Sequence, residues 1–189
     1  MTHYRPDDVL AFWFGTGAEY GKRQKRWFEK NAAFDAEVTR HFLRLYESML
    51  GEPLWLAGAK PTLARVVVLD QFPRNMFRGT ARAFAADSLA LDTARRLADR
   101  GDDRELLPVE RLFVYLPFEH SEALADQQRA CELTEPLAAF PETEDAHRYA
   151  CAHREIIARF GRFPHRNAAL GRVCTPEEIE FLKQPGSAF

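Results

Sequence analysis

The sequence is poor in the residues that mark disordered, fibrous or disulfide-stapled chains. Ten glycines and eleven prolines among 189 residues are too few for a collagen-like or linker-dominated chain. Cysteine is scarce as well. Cys131, Cys151 and Cys174 are widely spaced and form no CxxC, which argues against a disulfide framework and a thiolate zinc site. They read as small buried filler in a reducing cytoplasm. Long hydrophobic runs are missing: the longest, Val9 to Phe14 and Leu112 to Phe118, fall far short of the roughly 20 residues of a membrane helix. The N-terminal stretch MTHYRPDDV sets Asp7 and Asp8 where a secretory signal would be apolar. A soluble, cytoplasmic protein with no membrane partner is expected. Phosphate loops of the GxxxxGK[ST] or GxGxxG kind and the GxSxG nucleophile elbow are absent. A net charge of -2 also speaks against nucleic acid as a partner.

What is present is ordinary globular composition, 46% hydrophobic and 29% charged. A chain of this length buries roughly 70% of its unfolded surface, so one domain over residues 1–189 is expected. The charge is unevenly spread. Residues 101–145 hold twelve acids against Arg104, Arg111 and Arg129, whereas residues 147–172 hold six arginines against Glu155. The two segments either pair with each other or leave the basic one to meet an anion.

Helical periodicity dominates. Phe34, Val38, Phe42, Leu45 and Met49 step by four, four, three and four, as one face of an α-helix must. Pro6, Pro61, Asp87, Pro108, Ser121 and Thr143 each suit a helix start. Thr175-Pro176-Glu177-Glu178 is a full capping box with proline at the first helical position. Gly15, Gly17, Gly101 and Gly161 suit helix ends. The run Arg65 to Leu69 is the one β-like stretch, and its neighbours at helical spacing argue against a strand. The fold class predicted is all-α, an irregular array of about eight helices. No repeat of about 34 residues is visible.

Function is sought where a helix face that should be apolar is polar, because a buried charge is costly unless paired. The stripe Leu63, Val66, Val67 runs on to Asp70 and Arg74, with Gln71 and Asn75 beside them. Pro73 is expected to stop or kink that helix. The stripe Leu112, Phe113, Leu116 runs on to Glu119 and His120, just past Pro117. In the next helix Asp126 shares the face of Ala123, Ala130 and Leu137. His153 lies between Tyr149 and Ile157 on an apolar face, and after Gly161 a loop carries Arg162, Phe163, His165, Arg166 and Asn167. Each group also has a structural reading: an Asp70–Arg74 helix-end pair, a Glu119–His120 hydrogen bond between helices, a core histidine at 153, and arginines neutralised by the acidic segment.

The segments RWF (Arg26 to Phe28), LDQFPRNMFRGTARAFA (Leu69 to Ala85), YLPFEHSEALADQ (Tyr115 to Gln127) and HREIIARFGRFPHRN (His153 to Asn167) resemble the signatures of a widespread, mainly bacterial family of proteins known as a domain of unknown function. The resemblance runs over nearly the whole chain. It implies an all-α fold similar to a tetratricopeptide-like superhelix without the regular repeat, and it implies no activity. Ala81 departs from the family pattern, where proline is expected after Gly79-Thr80.

The leading expectation is a polar pocket for a small anionic molecule. Asp70, Arg74, Asn75, Asp126, Arg162, His165, Arg166 and Asn167 are its ligand-binding candidates. Arg162 and Arg166 together would hold the anion on the loop. Glu119, His120 and His153 are the acid/base candidates for catalysis. The three motif segments should then converge in space. Glu119, His120, His153 and His165 are of the types that bind zinc, manganese or iron, but no spacing such as HExxH joins them, so no metal and no cofactor are expected. The alternative is a tetratricopeptide-like adaptor that takes a peptide or protein in a concave groove.

Overall fold

A computed structural model describes residues 4–187. The first three residues of the N-terminal stretch discussed above and the last two of the chain lie outside it. Among the described residues the chain is α-helical with short 3-10 turns and no strand. The α-helices are α1 (Pro6–Phe14), α2 (Ala32–Gly51), α3 (Ala59–Val66), α4 (Phe72–Met76), α5 (Asp87–Arg100), α6 (Pro108–Glu119), α7 (Leu124–Thr134), α8 (Ala146–Phe160) and α9 (Pro176–Leu182). No described helix is long and apolar enough to cross a membrane.

The α2 stripe is buried as its spacing requires, with Tyr46 taking the place expected of Leu45. The Asn31 side chain caps this helix by accepting from the Ala33 and Phe34 amides. Gly101 and Gly161 close α5 and α8 in the left-handed conformation that glycine adopts without strain. At α9 the capping box forms as written: Thr175 accepts from the Glu178 amide and Glu178 accepts from the Thr175 amide. Three starts differ from expectation, α3 beginning at Ala59, two residues before Pro61. Helix α7 begins three residues after Ser121, and α8 three after Thr143, whose hydroxyl instead donates to the Leu137 carbonyl.

The core is aromatic. Trp13 meets Phe72 and Phe113 edge-on at 5.6 Å each, and Phe42 stacks on Phe72 at 4.7 Å. The RWF segment belongs to this core: Trp27 donates to the Trp13 carbonyl at 2.9 Å, and Arg26 closes the end of α1 by donating to the Phe12 carbonyl at 2.6 Å. Helices α1 and α2 cover the α3–α4 unit, α5 packs on α3, and from there α6, α7 and α8 pack in sequence.

Pro73 does not stop its helix. Residues Val67–Gln71 form a single π turn between α3 and α4, in which the Phe72 amide donates to the carbonyl of Val67, five residues back. Widening the ladder makes room for a proline that has no N–H and whose ring would otherwise meet the preceding turn. The Arg74 guanidinium donates to the Asp70 carbonyl at 2.7 Å. The wide turn also sets Asp70 and Gln71 facing inward, both buried. Pro117 is likewise carried inside α6. The carbonyls at that end accept from one buried side-chain amide: Gln127 Nε2 reaches those of Glu119 and Ser121 at 2.6 Å each.

Candidate functional site

Three chain segments far apart in sequence meet where the π turn, the end of α6 and the loop after α8 come together. Asp70 is the centre. Its carboxylate is fully buried, accepts from Gln71 Nε2 at 2.7 Å, lies 2.7 Å from His120 Nδ1 and 3.3 Å from Arg74 Nη1. Burial pushes its pKa up, but Arg74 and His120 outweigh that and hold it at about 2. An ionised carboxylate only accepts, so His120 Nδ1 carries the hydrogen and Nε2 keeps its lone pair. The imidazole retains 13% exposure. Burial, then the nearby Arg74, lowers its pKa from the ordinary histidine value, so at neutral pH it is an uncharged base with one tautomer fixed.

Glu119, one residue earlier on α6, has the opposite character. Burial and then the Asp70 charge push its pKa up to about 8, which leaves an uncharged carboxylic acid at neutral pH. Its Oε2 lies 3.5 Å from His153 Nδ1, while Oε1 is buried with no hydrogen-bond partner among the described residues. His153 Nδ1 donates to the Tyr149 carbonyl at 2.8 Å, and burial brings its pKa down to about 3. His165 is lowered to about 4, by burial and then by Arg166.

Two arginines close the outer side. Arg74 holds Asp87 with two hydrogen bonds of 2.8 and 3.0 Å, and Arg166 lies 3.6 Å from the same carboxylate while donating to the His120 carbonyl at 2.9 Å. Both guanidinium groups lie over the Phe84 ring, at 5.7 and 4.9 Å, and Arg166 also over Phe163 at 4.4 Å. Arg166 Nε is buried with no acceptor among the described residues. Burial and the neighbouring Arg74 bring Arg166 down to about 10, still cationic at neutral pH.

Asp70, Arg74, Glu119, His120, His153, His165 and Arg166 therefore gather as the motif argument expected. Four candidates do not join them. Arg162 pairs with Glu178 at 2.6 and 2.7 Å and donates to the Val173 carbonyl, so the expected pincer of Arg162 with Arg166 does not form. Asn167 serves the same clip, donating to Glu178 at 3.2 Å and accepting from Arg172 at 2.8 Å. Asn75 donates to Asp35, and Asp126 pairs with Arg95 and accepts from Ser121. The basic segment does not face the acidic one as a block: Arg172 pairs with Glu122, but Arg159 and Arg162 pair with Glu177 and Glu178 of α9. Gln71, noted beside Asp70 in the sequence, donates to its carboxylate, whereas Asp87 and Phe84 were missed. Asp87 reads in sequence only as a helix opener, and its link to Arg74 and Arg166 is a tertiary one. Among the described residues no group of three His, Cys, Asp or Glu side chains is arranged to hold a metal ion.

The family described as "Bacterial protein of unknown function (DUF924)" matches residues 9–186. The chain belongs to this family. A solved structure of a protein of unknown function from Agrobacterium tumefaciens is 42% identical, superposes with a TM-score of 0.81, and covers 94% of this chain and 96% of its own. The comparison with curated proteins found no match. At that identity the fold is shared over nearly the whole length of the chain.

Proposed function

We propose that this DUF924 protein binds a small anionic molecule beside Arg74, Phe84, His120, His165 and Arg166, with His120 as a base and Glu119 as the neighbouring acid. The observation that carries the reading is the Asp70–His120 pair: a buried, ionised carboxylate orients a partly exposed imidazole so that Nε2 is the basic nitrogen. A fold needing only a buried ion pair has no use for an uncharged acid next to an uncharged base, and that combination is what acid/base chemistry at neutral pH requires. Arg166, with Nε unspent, and Arg74 supply the positive charge for the anion. The three free thiols support placing this site in the cytoplasm.

The consecutive packing of α5, α6, α7 and α8 favours a second reading, a tetratricopeptide-like adaptor for a peptide or protein. One experiment separates them. A panel of phosphate, sulfate, carboxylates and nucleotides is titrated into the protein while its melting temperature is followed. A ligand at about 100 times its Kd stabilises the fold by roughly 2.7 kcal/mol. Arg166→Gln is expected to abolish that shift, and Arg162→Gln, whose side chain holds Glu178 and the Val173 carbonyl away from the cluster, to leave it. If no member of the panel moves the wild-type melting temperature, the anion reading fails and the adaptor reading gains.

A further inference from the structure

A second constellation lies where α7 packs on α8, built from Cys131, His147 and Cys151. His147 and Cys151 are four residues apart on α8 and so share a face. His147 Nδ1 lies 3.1 Å from the Cys131 carbonyl, and Nε2 lies 3.5 Å from Cys151 Sγ. A carbonyl only accepts, so Nδ1 carries the ring hydrogen and Nε2 is the lone-pair nitrogen facing the thiol. The arrangement is nucleophile, base and orienting group in one line. Both His147 and Cys151 are half-buried. Cys131 is buried on the facing helix α7, with its carbonyl against His147 and its thiol near enough to feel Cys151.

We propose that Cys151 is a peroxide-reactive thiol, that His147 is its base, and that Cys131 resolves the oxidised product as a Cys131–Cys151 disulfide. His147 Nε2 takes the Cys151 proton. The thiolate sulfur attacks one oxygen of a hydroperoxide, the O–O bond breaks, and the departing alkoxide or hydroxide takes the proton back from His147 as alcohol or water. Cys151 is then a sulfenic acid. The Cys131 sulfur attacks the Cys151 sulfur, the S–O bond breaks, and hydroxide leaves with the Cys131 proton as water. Two thiols have supplied two electrons to one peroxide, and an external thiol restores both. Burial, then the neighbouring Cys151, pushes the Cys131 pKa up to about 11, so Cys131 is not the thiol that meets the peroxide first. Arg154 and the Glu119 carboxyl are the other ionisable groups that act on Cys131. A transient, reducible disulfide suits a reducing compartment, where lasting ones are rare.

Cys174, half-buried and accepting from the Asn167 amide at 3.3 Å, is the control within the same molecule. The full chain is treated with hydrogen peroxide and its thiols are mapped by peptide mass spectrometry. Expected are a Cys131–Cys151 linked peptide that dithiothreitol reverses, and slower loss of the Cys174 thiol. In Cys131→Ser the sulfenic acid should persist and take a dimedone adduct at Cys151. His147→Gln should slow Cys151 oxidation by about tenfold or more without altering Cys174. Equal rates at Cys151 and Cys174 in the wild type, or an unchanged rate in His147→Gln, overturn the proposal. Oxidised wild type without the linked peptide overturns the role of Cys131.

Discussion

Asp70→Ala is expected to lower the free energy of unfolding by about 3–5 kcal/mol, the cost of removing one partner from a buried charge cluster. Two donors, from Gln71 and His120, meet that carboxylate, and Arg74 lies 3.3 Å from it as an ion-pair partner; alanine leaves both donors without their acceptor in a site that water enters poorly. Arg74 keeps Asp87, so the loss falls mainly on His120 and Gln71. The interaction is linked to acid. Asp70 titrates near 3.8 in the unfolded chain and at about 2 in the fold, so its contribution is fully present above about pH 4 and drains away as pH falls toward 2. Urea unfolding of the two proteins at pH 7 measures the difference. A loss under about 1 kcal/mol would mean that the cluster carries no such strength.

Glu119→Gln should act in the opposite sense and depend on pH. Glu119 titrates near 4.5 when unfolded and at about 8 when folded, so between those values the folded state holds a proton that the unfolded state has released. Wild-type stability therefore falls through that window by about 1.4 kcal/mol per pH unit from this group alone. Glutamine keeps the shape and stays neutral throughout. Relative to the wild type, Glu119→Gln is expected to gain stability steadily from pH 5 to pH 8, by on the order of several kcal/mol, and then level off. Paired urea melts at pH 5, 6.5 and 8 read this directly. A stability difference that stays constant across the three would show that Glu119 is an ordinary carboxylate.

Such costs explain why part of this site could be read from the sequence. Asp70, Glu119 and His153 interrupt apolar stripes at helical spacing, and a polar group on a buried stripe must find a partner or shift its pKa. The stripe of Phe34, Val38, Phe42 and Met49 and the capping box at Thr175 were legible for the same local reason. What the sequence withheld was partnership. Arg162 and Arg166 are four residues apart on one loop, yet Arg162 turns to Glu178 of α9 and Arg166 to the His120 carbonyl and Asp87. Nothing within a turn or two of either arginine encodes that difference. The π turn is hidden for another reason: proline within a helix is ordinarily a stop, and only the packing of α3 and α4 against α1, α2 and α5 holds the widened ladder in place. Cys131 and Cys151 read as separate filler because the helix pair that joins them is a tertiary fact.

Asp70 fixes His120 as a neutral base with hydrogen on Nδ1. Long-range nitrogen–proton correlation spectra of the protein labelled with nitrogen-15 in its histidines, recorded across pH, test it most directly. At pH 7 the His120 ring is expected to be protonated on Nδ1 and bare at Nε2, with that preference lost in Asp70→Ala. A His120 ring that is doubly protonated at pH 7, or that carries its single hydrogen on Nε2, would contradict it.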